Sequence, residues 1–205
     1  MAIAAAPTKA NLIKARSALA LSRKGFDLLD KKRNVLIREM MELVDKAKTV
    51  QNDMYTVIAD AYQALQEANI MMGLLDVNDI TNSIPADENF EVLLRSVMGV
   101  DIPSVKYKSQ DMIPTYGFYN SNISLDTARQ KFVETRYRIY ELAELENSIF
   151  KLAKEIEKTN KRTNALEHIQ IPKYREQVKY IQEVLEEKER EDFFRLKKVK
   201  KKIGT

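Results

Sequence analysis

His168 is the only histidine in the 205 residues, and it follows Glu167 directly. An imidazole beside a carboxylate is a start toward metal ligation or proton transfer. A helical zinc site, however, needs a second imidazole four residues on, and there is none here. His168 therefore reads as a structural or partner-facing residue, while a site built from carboxylates alone stays open. Carboxylates are plentiful at Glu183, Glu186, Glu187, Glu189 and Glu191, but they alternate with Lys188 and Arg190 at helical spacing. That pattern describes a solvated charged face with local ion pairs. The glycines, at 25, 73, 99, 117 and 204, are too scattered for a phosphate-cradling loop, and no Gly-x-x-x-x-Gly-Lys-Ser/Thr run occurs. Cleavage of ATP by this chain alone is not expected. No nucleophile, base and oxyanion set can be nominated, so an enzyme is the weakest reading. The C-terminal "DFFRLKKVKKK" invites a nucleic-acid reading, because clustered Lys and Arg release counterions and Phe193 and Phe194 can stack on bases. The helical spacing of Phe193, Leu196 and Lys200 suits a protein contact as well.

The elements carrying these residues are long helices. Charged residues make up 31% of the chain, with only five Gly and five Pro and no Trp, a composition that favours charged helices over a many-stranded sheet. Stepping by sevens gives two apolar series: Leu12, Leu19, Phe26, Arg33, Met40, Ala47, Met54, Ala61, Ala68, and Ala15, Ser22, Leu29, Leu36, Leu43, Val50, Val57, Ala64, Met71. Only Ser22 and Arg33 are polar. A heptad repeat held from 12 to 71 without proline predicts a coiled-coil seam, on a helix on the order of 90 Å long. A second series runs from Leu125 through Phe132, Ile139, Leu142, Leu145, Ile149, Leu152 and Ile156 to Leu166. Its two consecutive steps of three, from Ile139 to Leu142 to Leu145 before Ile149, are a stammer, which overwinds the supercoil locally. The series restarts after Ile169 and slips phase at Pro172. Pro172 has no N–H for the carbonyl of His168 and crowds it, so a bend is expected there.

The expected fold class is all-α dominated: a long antiparallel two-helix coiled coil with a small middle segment holding a short helix and a β-hairpin. A homodimer of extended chains competes with the antiparallel pair. The expected divisions are an N-terminal helix over 1–73, the middle segment over 74–124, and a C-terminal helix over 125–205 with its bend near Pro172. Proline and glycine concentrate in the middle. There "ADENFEVLLRSVMG" reads as a short helix ending at Gly99, and the hairpin is placed on "IPSVKYKS" and "TYGFYNSNISL". The middle carries seven acidic residues against three basic, while both chain ends are basic. Folding back would therefore gather the basic ends at one tip and the acidic segment at the other.

No cysteine is present, which permits a reducing compartment without requiring one. Pro7, Lys9, Lys14 and Arg16 break up the apolar start before a signal-peptide core can form. No stretch approaches the roughly 20 apolar residues of a membrane span. A soluble chain is expected, with any membrane link made through partners.

Three stretches together resemble one family. "PTKANLIKARSALALSRKGFDLLDKKRNVL", "KTNKRTNALEHIQIP" and "VLEEKEREDFFRLKKVK" are similar to the Pro-Thr start, Gly-x-x-Leu-Leu, Lys-Arg, Arg-x-Asn-Ala-Leu-Glu, Ile-Pro and Glu-Arg-Glu elements of the D subunit, the central rotor stalk of V-type and archaeal A-type rotary ATPases. Asn34 and Thr163 depart from the residues common in that family, Asp and Val. The resemblance implies a non-catalytic shaft, one copy per complex, whose two termini enter a hexameric head of catalytic and non-catalytic subunits. It also implies a small stalk partner, the F subunit, alongside and a membrane-rotor adaptor at the other end. ATP and Mg would belong to the partner catalytic subunits, no cofactor to this chain, and no nucleic-acid partner is expected. The location implied is cytoplasmic and peripheral to the membrane. Lys9, Lys14, Arg16, Arg195, Lys197 and Lys198 would form the head-facing tip, and Arg162, Asn164, Glu167 and Pro172 the bent part of the shaft. A free-standing basic coiled coil that binds nucleic acid and a homodimeric tethering protein are the competing readings.

Overall fold

The computed structural model describes residues 6–85, 90–107, 115–117, 119 and 121–203. In chain order the elements are α1 (Lys9–Met72), α2 (Leu74–Ser83), β1 (Phe90–Val97), β2 (Val100–Tyr107), α3 (Ile123–Ala165), a π-helical turn (Leu166–Gln170) and α4 (Ile171–Ile203). They fall into two units, Met1–Val35 with Ile156–Thr205, and Leu36–Glu155.

The heptad reading of α1 is realised. Every seam position from Leu12 to Ala68 is buried or half-buried, Ser22 and Arg33 included, and only Met71 at the end is exposed. Thr8 starts the helix: its Oγ1 accepts the Asn11 amide at 3.2 Å, which satisfies one of the first-turn donors left without an intrahelical partner. Gly73 ends it at φ 90°, a backbone angle that costs glycine little and other residues more.

In the unit Leu36–Glu155, α1 and α3 run antiparallel within one chain. Tyr62 meets Phe132 edge to face at 5.7 Å, and Asn122 Nδ2 donates to Met71 Sδ at 3.5 Å. Leu36, Ala61, Ala68, Leu125, Ala128 and Leu152 are buried. Small residues such as Ala61 and Ala68 at the buried seam permit close approach of the helices. At the stammer the burial shifts. Ile139 is 46% exposed whereas Ser148 is buried, because successive steps of three rotate the stripe away from the ordinary seam line.

The middle segment corrects the sequence reading. Phe90–Val97 is a strand, not the end of a helix, and it pairs antiparallel with Val100–Tyr107, from Phe90 opposite Tyr107 to Val97 opposite Val100. The two-residue turn between them, Met98 and Gly99, takes φ 52° and 78°, the positive angles that match strand twist in a tight hairpin. The second strand expected on 115–125 does not form. Its described residues before Ile123 lie outside any strand, and α3 begins at Ile123. Residues 86–89, 108–114, Phe118 and Asn120 lie outside the described residues. The short helix of this region is α2.

In the unit Met1–Val35 with Ile156–Thr205, the start of α1 lies antiparallel to α4. Lys9 Nζ pairs with Glu189 Oε1 at 3.0 Å, Arg16 donates to Gln182 at 3.1 Å, and Arg33 to Asn160 at 3.2 Å. Thr159, Thr163 and Ile181 are buried here. The Thr163 hydroxyl donates to the Thr159 carbonyl at 2.9 Å, so a polar seam residue costs no unsatisfied donor.

Candidate functional site

Three places in the chain combine exposure with unusual local structure. The first is the π-helical turn. Ile171 N–H donates to the Leu166 carbonyl, five residues back rather than four, with helical dihedrals at Ala165 and Ile171 on either side. The sequence locates the cause: Pro172 cannot donate to His168, and the helix widens by one residue immediately before it. An extra residue turns the apolar stripe by about 100°, which accounts for the phase slip. Among the residues nominated here, Arg162, Asn164 and Glu167 are exposed and Pro172 is half-buried. His168 is exposed, its Nε2 3.9 Å from Glu167 Oε2. The seam at this level is filled by Leu166, whose Cδ1 lies 3.8 Å from the position of a Cβ on Gly25.

Beyond the turn the contacts between the two helices shift along the chain. Between Gly25 and Arg16, α1 covers nine residues. The opposing helix covers sixteen, from Leu166 to Gln182. The π turn absorbs one of these residues. A groove of about 410 Å³, lined by Leu19, Arg175, Val178, Lys179, Gln182 and Glu183, opens in the same interval.

The second place is the end of α4. Every residue from Glu186 to Ile203 is exposed. Phe193, Phe194, Leu196 and Ile203 are all more than 60% accessible, on a helix that ends in three lysines. Of the nominated tip residues, Lys9 is tied to Glu189 and Arg16 to Gln182. Arg195 is answered within its own helix by Glu191 and Asp192 at 3.5 and 3.7 Å. Lys14, Lys197 and Lys198 stand exposed. The last two lie eight and nine residues past Glu189, about 12–14 Å further along the helix axis. The structure thus sets the first and last basic clusters on neighbouring helices without bringing them into one contact.

The third place is the hairpin, which the sequence reading did not nominate. It stands on α3 by the edge of β2: the Val105 amide donates to Glu144 Oε2 at 2.6 Å, and Lys151 Nζ donates to the Asp101 carbonyl at 2.9 Å. Tyr107 stacks on Tyr137 at 4.5 Å, and Phe90 lies 5.4 Å from Tyr140. Further along, the Tyr116 hydroxyl donates to Asp126 with the Arg129 guanidinium 5.8 Å from the ring. Burial, then the Asp126 carboxylate, push the Tyr116 phenol above its ordinary value.

Among the described residues no group of three or more His, Cys, Asp or Glu side chains is placed to hold a metal ion. No described helix is long and apolar enough to cross a membrane.

The model of the family described as the ATP synthase D subunit matches residues 11–201. The chain is 39% identical to the V-type ATP synthase D subunit of Thermotoga neapolitana over 199 residues, 97% of this chain and 98% of that one. It is 40% identical to the A-type ATP synthase D subunit of Methanobrevibacter smithii, over 96% and 87% of the two chains, and 36% identical to that of Pyrococcus abyssi, over 95% and 92%.

Proposed function

The chain belongs to the ATP synthase D-subunit family, and on that premise we propose that it is the central rotor shaft of a V-type or A-type ATPase. Its rotation would couple ATP hydrolysis or synthesis in a hexameric head to ion transport across the membrane. The observation that carries this reading is the end of α4, eighteen consecutive exposed residues that place aromatic and aliphatic side chains among lysines. Such a face is costly to leave in water and suits a partner cavity that takes apolar contacts and answers positive charge. The start of α1 runs beside it through Lys9–Glu189, so both termini would enter the head together. Lys9, Lys14, Arg16, Arg195, Lys197 and Lys198 form the tip in this account.

The chain contributes no catalysis. ATP and Mg are held by the catalytic subunits, and this shaft, one copy per complex, presents a different face to each catalytic site in turn. The π turn supports this, because its extra residue turns the apolar stripe of one helix and makes the faces of that stretch differ. Exposed Arg162, Asn164 and Glu167 are free of the seam, which favours contact with a neighbouring protein over intramolecular packing. The other partners are the small F subunit of the stalk and the membrane-rotor adaptor, and the location is cytoplasmic and peripheral. The test is to tag the chain in its own host, purify what comes with it, and assay ATPase activity with and without it. Recovery of the head and the small stalk protein supports the reading. Recovery of nucleic acid, or of the chain alone, overturns it.

A further inference from the structure

The hairpin has one edge in use and one edge open. Val105 N–H and the Asp101 carbonyl point away from β1 toward α3. Their partners across the hairpin, Val92 and Ser96, therefore sit in pairs that exchange no ladder bonds, and so do Phe90 and Leu94, two residues apart in the same register. It follows that Phe90, Val92, Leu94 and Ser96 direct their amides and carbonyls to the outer edge of β1. No strand pairs with that edge among the described residues, where the sheet is two-stranded. All of β1 except Val97 is exposed, with Val92 at 56% and Leu94 at 67%. The strand contains neither proline nor lysine, two common protections against pairing with another chain.

The sequence of β1 is complementary to itself. Antiparallel pairing of two copies centred on Leu93 sets Glu91 opposite Arg95 of the second copy and Arg95 opposite its Glu91. Leu93 faces Leu93 between these two ion pairs, and on the other face Val92 meets Leu94 twice. The same register pairs Val92 with Leu94 and Phe90 with Ser96 as bonded pairs, which are the residues whose backbone groups point outward. Shifting the centre to Val92 or Leu94 keeps the backbone parity but leaves Glu91 and Arg95 without opposite charges across the strand. One register therefore satisfies backbone, charge and apolar contact together. We infer that, outside the assembled complex, two copies of this chain pair through the outer edges of β1 to form a four-stranded antiparallel sheet.

The full chain, free of partners, is measured by light scattering and sedimentation over rising concentration, with hydrogen exchange followed at each β1 amide. The expected result is a reversible dimer in which the amides of Phe90, Val92, Leu94 and Ser96 gain protection on association. Those of Glu91, Leu93 and Arg95, already bonded to β2, change little. Arg95→Glu should weaken the dimer at least tenfold, and the double swap Glu91→Arg with Arg95→Glu should restore it to within about threefold. Circular dichroism serves as the check that each variant folds. A monomer at every concentration up to about 100 μM overturns the inference. So does a dimer indifferent to Arg95→Glu, a double swap that fails to rescue, or protection gained without the alternation.

Discussion

A Cβ on Gly25 would stand 3.8 Å from Leu166 Cδ1, at ordinary van der Waals distance, so this helical glycine is not held by lack of room. Gly25→Ala should stabilise the chain by about 0.5–1 kcal/mol, by reducing the entropy lost when α1 forms. Gly25→Leu should instead destabilise it by about 1–3 kcal/mol, because the added atoms meet Leu166. Urea denaturation of both variants checks the pair, and a loss for Gly25→Ala would show that the contact is tighter than described.

Glu144 holds the hairpin by accepting the Val105 amide at 2.6 Å. A hydrogen bond to a charged group contributes about 1.5–3 kcal/mol. Glu144→Ala should therefore speed exchange of that amide by about tenfold to a hundredfold, and Glu144→Gln by less, since its carbonyl still accepts. Amide exchange at Val105 reads the effect directly.

The seam of α1 was legible because Leu12 to Ala68 depends on local spacing alone. The hairpin was not. Phe90, Leu93, Leu94 and Val97 fall at i, i+3, i+4 and i+7, a helical stripe, while Phe90, Val92 and Leu94 also alternate as a strand does. Between two periods that both fit, the pairing with Val105 and Tyr107 decides, and that contact is non-local. The turn gave no help, since Met98-Gly99 lacks the Asn or Asp that marks such turns. Pro172 announced a lost donor, but not that the helix would answer by widening over Leu166–Gln170. At the termini, sequence identified the basic residues. It did not show that Arg195 is already paired within α4.

That pairing makes Lys197 and Lys198 the better test of the tip. Replacing both with Ala should weaken binding to the head by about tenfold at low salt and less at high salt, because exposed charges more than a Debye length of about 10 Å apart at 0.1 M are largely screened. Titration of the purified head at two ionic strengths measures it. An equal loss at both would assign the contact to packing by Phe193 and Leu196.

Pro172→Ala returns a donor to the His168 carbonyl and removes the reason for the π turn. The chain should still fold. In the assembled motor, ATP hydrolysis should continue with less ion transport per ATP. Comparing ATPase and transport rates in the same vesicles separates the two effects, and unchanged coupling would mean that the widened turn has no mechanical part.

The central claim is that this chain turns. It contains no cysteine, so a single Tyr119→Cys, at a fully exposed position, allows one bead to be attached to a shaft assembled in a surface-fixed head. On addition of ATP the account predicts rotation of the bead in one direction, stopping when ATP is removed. A bead that stays still while the same heads hydrolyse ATP would contradict it.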